Sequence, residues 1–157
     1  MKKILKHKID YKKVAEGLGI SEDRAKRFID DGRVVGRLGE FILEDKNIGK
    51  RSDNEGTSWD NLTEDNSYLE VRSITTKLSF AASKEVGYGR TVTEEGFNEK
   101  LDDVDSFIAI DFKDDPTQLD FYKIPSEDVK RWSDEGFIGK GKAVARKKIL
   151  TKLNEMS

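Results

Sequence analysis

The stretch Tyr68-Leu69-Glu70-Val71-Arg72-Ser73-Ile74 decides how this sequence is read. Apolar and charged residues alternate, the period of a β-strand with one face toward a core. Leu69 and Val71 turn one way and Glu70 and Arg72 the other. The charged pair is spaced ~7 Å along the strand, close enough to meet at one phosphate. Ten residues before Glu70, Asp60 stands at the edge of a loop in Trp59-Asp60-Asn61. One chain reversal brings its carboxylate beside Glu70. Adjacent carboxylates repel, and a bound cation relieves the repulsion. The chain has no Cys and one His, His7, so oxygen ligands and a hard divalent ion, Mg²⁺ or Mn²⁺, fit the pattern. The competing reading of Glu70 and Arg72 is an ordinary ion pair on a solvated sheet face.

Working outward, 105–112 is apolar on both faces, as in a central strand covered on both sides. Asp114-Asp115-Pro116 is a turn, and 119–124 is the next strand. Upstream, Val34, Val35, Leu38, Phe41 and Ile42 give 33–45 helical spacing. Segment 11–31 reads as two short helices broken at Gly19, the second capped by Ser21. Segment 46–66 is polar loop with a strand near 58–60, and 76–104 is loop with a helix. Ser126 caps a short helix through Trp132, and 142–155 is a C-terminal helix with Ala145, Ile149 and Leu153 on one stripe. Trp59 and Trp132 are assigned to the core. Helices, a three- or four-stranded sheet, then helices make a mixed α/β sandwich.

Composition excludes several classes of function. The 157 residues suffice for one domain-sized core, and eight Phe, four Tyr and two Trp argue against disorder. Without Cys there is no disulfide framework, thiol nucleophile or thiolate-bound zinc, and one His rules out a multi-histidine site. No apolar run approaches the ~18 residues of a membrane span, so a soluble, cytoplasmic protein with no membrane partner is expected. The net charge of −2 conceals a pattern: residues 1–37 and 129–157 each carry +5, and the stretch between carries −12. Basic ends suit a polyanion, and an acidic middle suits a divalent cation.

Asp60 followed by Glu70-Val71-Arg72 resembles the signature of the PD-(D/E)XK nuclease superfamily, in which an acid and a variable loop precede acid-x-Lys on a strand. The spacing, the apolar strand and Ser73 directly after the motif look most like small type II restriction endonucleases. The resemblance spans roughly residues 36–150. It implies a restriction-endonuclease-like mixed β-sheet core flanked by helices over 36–157, preceded by an N-terminal helical segment, 1–35. The implied activity is Mg²⁺-dependent hydrolysis of phosphodiester bonds in double-stranded DNA. A chain this small covers half a duplex site, so a C2 homodimer is the implied assembly. Asp60 and Glu70 would hold the metal. Glu40, in Gly36-Arg37-Leu38-Gly39-Glu40-Phe41, matches an extra acid that many members carry on the helix before the sheet. The family's Lys is Arg72 here. Arginine can stabilise charge on a phosphorane but cannot act as a general base. Arg72 in an electrostatic role and Lys77, the nearest downstream amine, are both open.

Two basic segments also point to DNA. Val14–Gly32 resembles a helix-turn-helix, with Arg24, Lys26 and Arg27 placed for phosphates or bases, or else a packing hairpin. In Gly139–Ile149 the cations Lys140, Lys142, Arg146, Lys147 and Lys148 lie beside two glycines, a phosphate-binding composition or a solvated helix face. Two alternatives to the nuclease therefore stand: a helix-turn-helix DNA-binding regulator without catalysis, and a small α/β interaction protein.

Overall fold

The computed structural model describes residues 1–54 and 56–156. In chain order the elements are β1 (Lys2–Lys8), α1 (Tyr11–Leu18), α2 (Glu22–Ile29), α3 (Gly32–Asp45), β2 (Lys50–Arg51), β3 (Asn61–Leu62), β4 (Tyr68–Ile74), β5 (Lys77–Ser79), a 3₁₀ turn (Ser83–Glu85), α4 (Glu94–Asp103), β6 (Ser106–Asp111), β7 (Gln118–Pro125), α5 (Ser126–Asp134), β8 (Ala143–Ala145) and α6 (Arg146–Glu155). Among the described residues six strands form one mixed sheet in the order β1-β7-β6-β4-β3-β2, and β5 and β8 pair separately. The β4–β6 pair is parallel, with Glu70 opposite Phe107. Its neighbours are antiparallel.

Side-chain alternation divides the core into two layers. Leu69, Val71, Ile108, Ile110, Leu119 and Phe121 face α1, α2 and α3, whose Ala15, Ala25, Val35, Ile42 and Leu43 complete that layer. Ile74, Phe107, Ala109, Tyr122 and Ile124 face the other way, onto Phe80, Phe97, Val129, Trp132 and Ile149. Every residue of β6 is buried, as expected of a central strand with both faces covered. Trp132 lies in this second core layer.

Gly39 sets the approach of α3 to the sheet. A Cβ there would lie 2.2 Å from the Ile110 Cδ1 and 3.4 Å from the Val71 Cγ1, so the hydrogen lets the helix sit directly over β4 and β6. That contact fixes Glu40, the next residue, relative to the Glu70 strand.

Several boundaries differ from the sequence reading. The sheet gains two strands over that expectation: β1, a lysine-rich run without clean alternation, pairs with β7, and the two-residue β2 pairs with β3. The strand expected near 58–60 lies at Asn61–Leu62, where the chain meets β4. Ser126 does not cap α5: its hydroxyl donates to the Val104 carbonyl at 2.6 Å, and Pro125 holds the N-cap position. The C-terminal helix begins at Arg146, because 143–145 are drawn into pairing with β5. The boundary expected at residue 35 falls inside α3, and the helices before it share a core with the sheet. Among the described residues no helix is long and apolar enough to cross a membrane.

Candidate active site

The site forms where β3 joins β4. The Asp60 amide donates to the Leu69 carbonyl at 2.8 Å, just before Asn61 enters register with Leu69. The Val71 amide in turn donates to the Asp60 Oδ2 at 2.7 Å. This clip holds the Asp60 carboxylate against β4, next to Glu70. Burial, then the charge of Glu70 and that of Glu40, push the Asp60 carboxyl up to about 7, against the opposing pull of the Val71 amide and Arg72. Among the described residues no Lys or Arg lies within ion-pair distance of Asp60.

Glu70 is buried. Its Oε1 accepts from the Arg72 Nη2 at 2.8 Å and from the Ser83 hydroxyl at 3.1 Å. Its Oε2 accepts from the Lys100 Nζ at 3.2 Å, and that ammonium also donates to the Ser58 carbonyl at 2.8 Å. Lys100 comes from α4 and lies on the same buried face as Phe97. Arg72 further donates to the Ala81 carbonyl at 2.9 Å and to the Ser83 hydroxyl at 3.1 Å. Its guanidinium therefore ties the 79–83 segment to Glu70. Glu40 completes the set, its Oε2 accepting from the Arg51 Nε at 3.1 Å.

Glu70, Arg72 and Glu40 thus all lie near enough to Asp60 for their charges to act on it. Lys77 does not join them: it is exposed on β5, opposite Ala145. The amine beside Glu70 belongs to Lys100. The sequence reading missed it because it is distant along the chain. The available signal was a lysine three residues after Phe97, on the apolar stripe of a helix.

The basic residues are dispersed. Lys142 is buried, has a left-handed backbone with φ of 54°, and donates to the Ser133 hydroxyl at 3.0 Å while pairing with Glu94 at 2.6 Å. Arg146 pairs with the buried Asp111 at 2.8 Å. Lys148 donates to the Phe137 carbonyl at 3.0 Å. Lys140 and Lys147 are exposed. On α2, Arg24 is exposed, and Arg27 pairs with Asp23 of its own helix at 3.2 Å.

A cleft of about 730 Å³ opens beside Asp60 and Glu40, walled by Arg37, Phe41, Arg51 and Trp59. Trp59 is half-buried there and stacks obliquely on Tyr68, with ring centroids 5.2 Å apart. Among the described residues no group of three or more acidic or histidine side chains is placed to hold a metal ion. The carboxylates able to contribute are Asp60 and Glu70. Mg²⁺ commonly keeps several waters and takes only one or two carboxylates. A like-charged pair of hard oxygen donors, one member of it without a cationic partner, fits that ion. Neither a family model nor a curated protein matches this sequence.

Proposed function

We propose that the chain is a Mg²⁺-dependent endonuclease, cytoplasmic and homodimeric, that hydrolyses phosphodiester bonds in double-stranded DNA on a restriction-endonuclease-like core. The observation that carries this reading is the Asp60 carboxylate held beside Glu70, with the Lys100 ammonium on the far oxygen of the same glutamate. Asp60 and Glu70 would hold the ion. Bound there, the ion would lower the pKa of a water and neutralise charge on the phosphate.

The chain's own residues supply the rest. Lys100 places a positive charge at the buried end of the pair, where it stabilises negative charge developing on a phosphate. Arg72 is a positioning residue: it fixes the Glu70 rotamer and anchors the 79–83 segment over it. Asp60 exchanges its proton near neutrality, so its charge follows the occupancy of the site. In a homodimer, two such sites would cut the two strands.

The test is incubation of the protein with plasmid in Mg²⁺, with and without chelator. Discrete fragments that vanish in chelator and in Glu70→Gln support the reading. Intact plasmid under all metal conditions overturns it. The α1–α2 hairpin, turning at Gly19 with φ of 69° and capped at Ser21, favours a second reading, DNA binding without catalysis. Retained DNA affinity with no cleavage would select it.

A further inference from the structure

We infer that the cleft beside Asp60 is a subsite for one unpaired nucleotide, gripped by Arg51, so that this protein prefers DNA with a displaced base over a continuous duplex. The inference rests on the nuclease reading only for placing the scissile phosphate at the mouth of the cleft.

Arg51 is held from three sides. Its amide donates to the Glu44 Oε2 at 2.6 Å, its Nε donates to the Glu40 Oε2 at 3.1 Å, and its guanidinium lies over the Phe41 ring at 4.2 Å. Phe41 itself is 46% exposed, so ring and guanidinium form a layered platform at the surface. Among the described residues neither Nη of Arg51 has a hydrogen-bond partner. A planar, charged group already oriented, with its outer donors unused, can take a phosphate on its fork and a base on its face. Phe41 covers one face of the guanidinium, and both residues line the cleft.

The cleft dimensions choose the substrate. The cleft holds about 730 Å³, room for a single nucleotide but not for a base pair with both of its backbones. A paired helix cannot enter; a single nucleotide can. Ser52 and Thr57 line the same cleft; the Thr57 hydroxyl donates to the Trp59 carbonyl at 2.8 Å and lies 3.0 Å from the Ser52 hydroxyl. Trp59 offers a second aromatic wall. Aromatic and guanidinium stacking tolerates every base, so the subsite reads unpairing rather than sequence.

The experiment is fluorescence anisotropy in chelator, where cutting is blocked, using three labelled DNAs: a matched duplex, the same duplex with one bulged nucleotide, and the single strand. The parent is expected to bind the bulged duplex ~10-fold more tightly than the matched one, the order of a single stacking contact. Arg51→Gln and Phe41→Leu are expected to erase that preference. Arg51→Lys keeps the charge and loses the planar fork, and it too should lose most of the preference without loss of fold. Equal affinity of the parent for bulged and matched duplex overturns the subsite, as does an unchanged preference in Arg51→Lys. A parent that prefers the bulge but cuts no plasmid in Mg²⁺ supports the subsite and removes the nuclease reading alone. A parent that cuts but shows no preference does the reverse.

Discussion

Lys100 and Glu70 meet at 3.2 Å inside the protein, although one lies on helix α4 and the other on strand β4, thirty residues earlier. Each side chain is under a tenth exposed. Desolvating two charges is costly, and the pair is tolerable only because each partner has further hydrogen bonds: Glu70 from Arg72 and Ser83, Lys100 to the Ser58 carbonyl. Folding thus assembles an acid and an amine that the sequence keeps apart.

Lys100→Met keeps the length of the stem and removes the charge. Single-turnover cleavage in saturating Mg²⁺ should fall by roughly 10²-fold or more, whereas Lys77→Ala should cut at the parent rate. Parent activity in Lys100→Met would remove Lys100 from the site.

Truncating Glu70 should cost stability as well as activity. Glu70→Ala leaves the Arg72 and Lys100 cations buried without their counter-charge, a loss of about 3–5 kcal/mol. Urea denaturation should show Glu70→Ala as the less stable and Glu70→Gln as milder. Adding Lys100→Met to Glu70→Gln should recover part of the deficit. Additive losses in the double variant would contradict the coupling.

The Asp60 carboxyl, raised from 3.8 to about 7, binds its proton more tightly in the folded state than in the unfolded one. Its contribution therefore favours folding at low pH and is lost as pH rises through about 4 to 7. Asp60→Asn should match the parent near pH 4 and exceed it above pH 7, by about 1–2 kcal/mol once partial solvation is allowed for. Mg²⁺ should stabilise the parent more as pH rises, and binding near pH 6.5 should release a fraction of a proton, measurable by calorimetry in two buffers. A pH-independent difference between parent and variant would contradict the burial of this carboxyl.

The C-terminal cations should separate by role. Arg146→Ala exposes the need of buried Asp111 for a partner and should cost about 2–3 kcal/mol, less than a fully buried pair. Lys147→Ala should leave stability unchanged. If the α6 face touches DNA, Lys147→Ala should reduce the slope of log K against log[salt] by up to ~0.9. A salt slope changed by Arg146→Ala but not by Lys147→Ala would reverse this assignment.

Gly39→Ala forces a methyl into the Ile110 Cδ1. Overpacking of this kind costs about 1–3 kcal/mol, and Ile110→Val should return much of it. Thermal melts of the single and double variants measure both.

The strands that carry the site were legible because their pattern is local. Alternation marks β4, a doubly apolar run marks β6, and helical spacing marks α3. Asp60 and Glu70 could be paired in advance because ten residues allow a single reversal. What stayed hidden depends on distant partners. β1 looks like a solvated lysine run until Lys2 meets Lys123. Lys142, one of a cluster of basic residues, turns inward because Glu94, Ser133 and the Phe97 ring surround it. Arg51 gains its orientation from Glu40 and Phe41 on α3, which nothing in its own neighbourhood announces.

The pairing of β1 with β7 has a consequence for synthesis. Lys2 through Lys8 emerge from the ribosome long before Gln118 through Lys123, their partners. At the usual pace of translation the gap is roughly 5–20 s. Through that interval the edge strand lacks the partner it pairs with in the folded protein. Lys2, Lys3, Lys6 and Lys8 place positive charge along this edge strand, and such charge disfavours pairing between edges of separate chains. The same four charges that obscure β1 as a strand keep it available until β7 arrives.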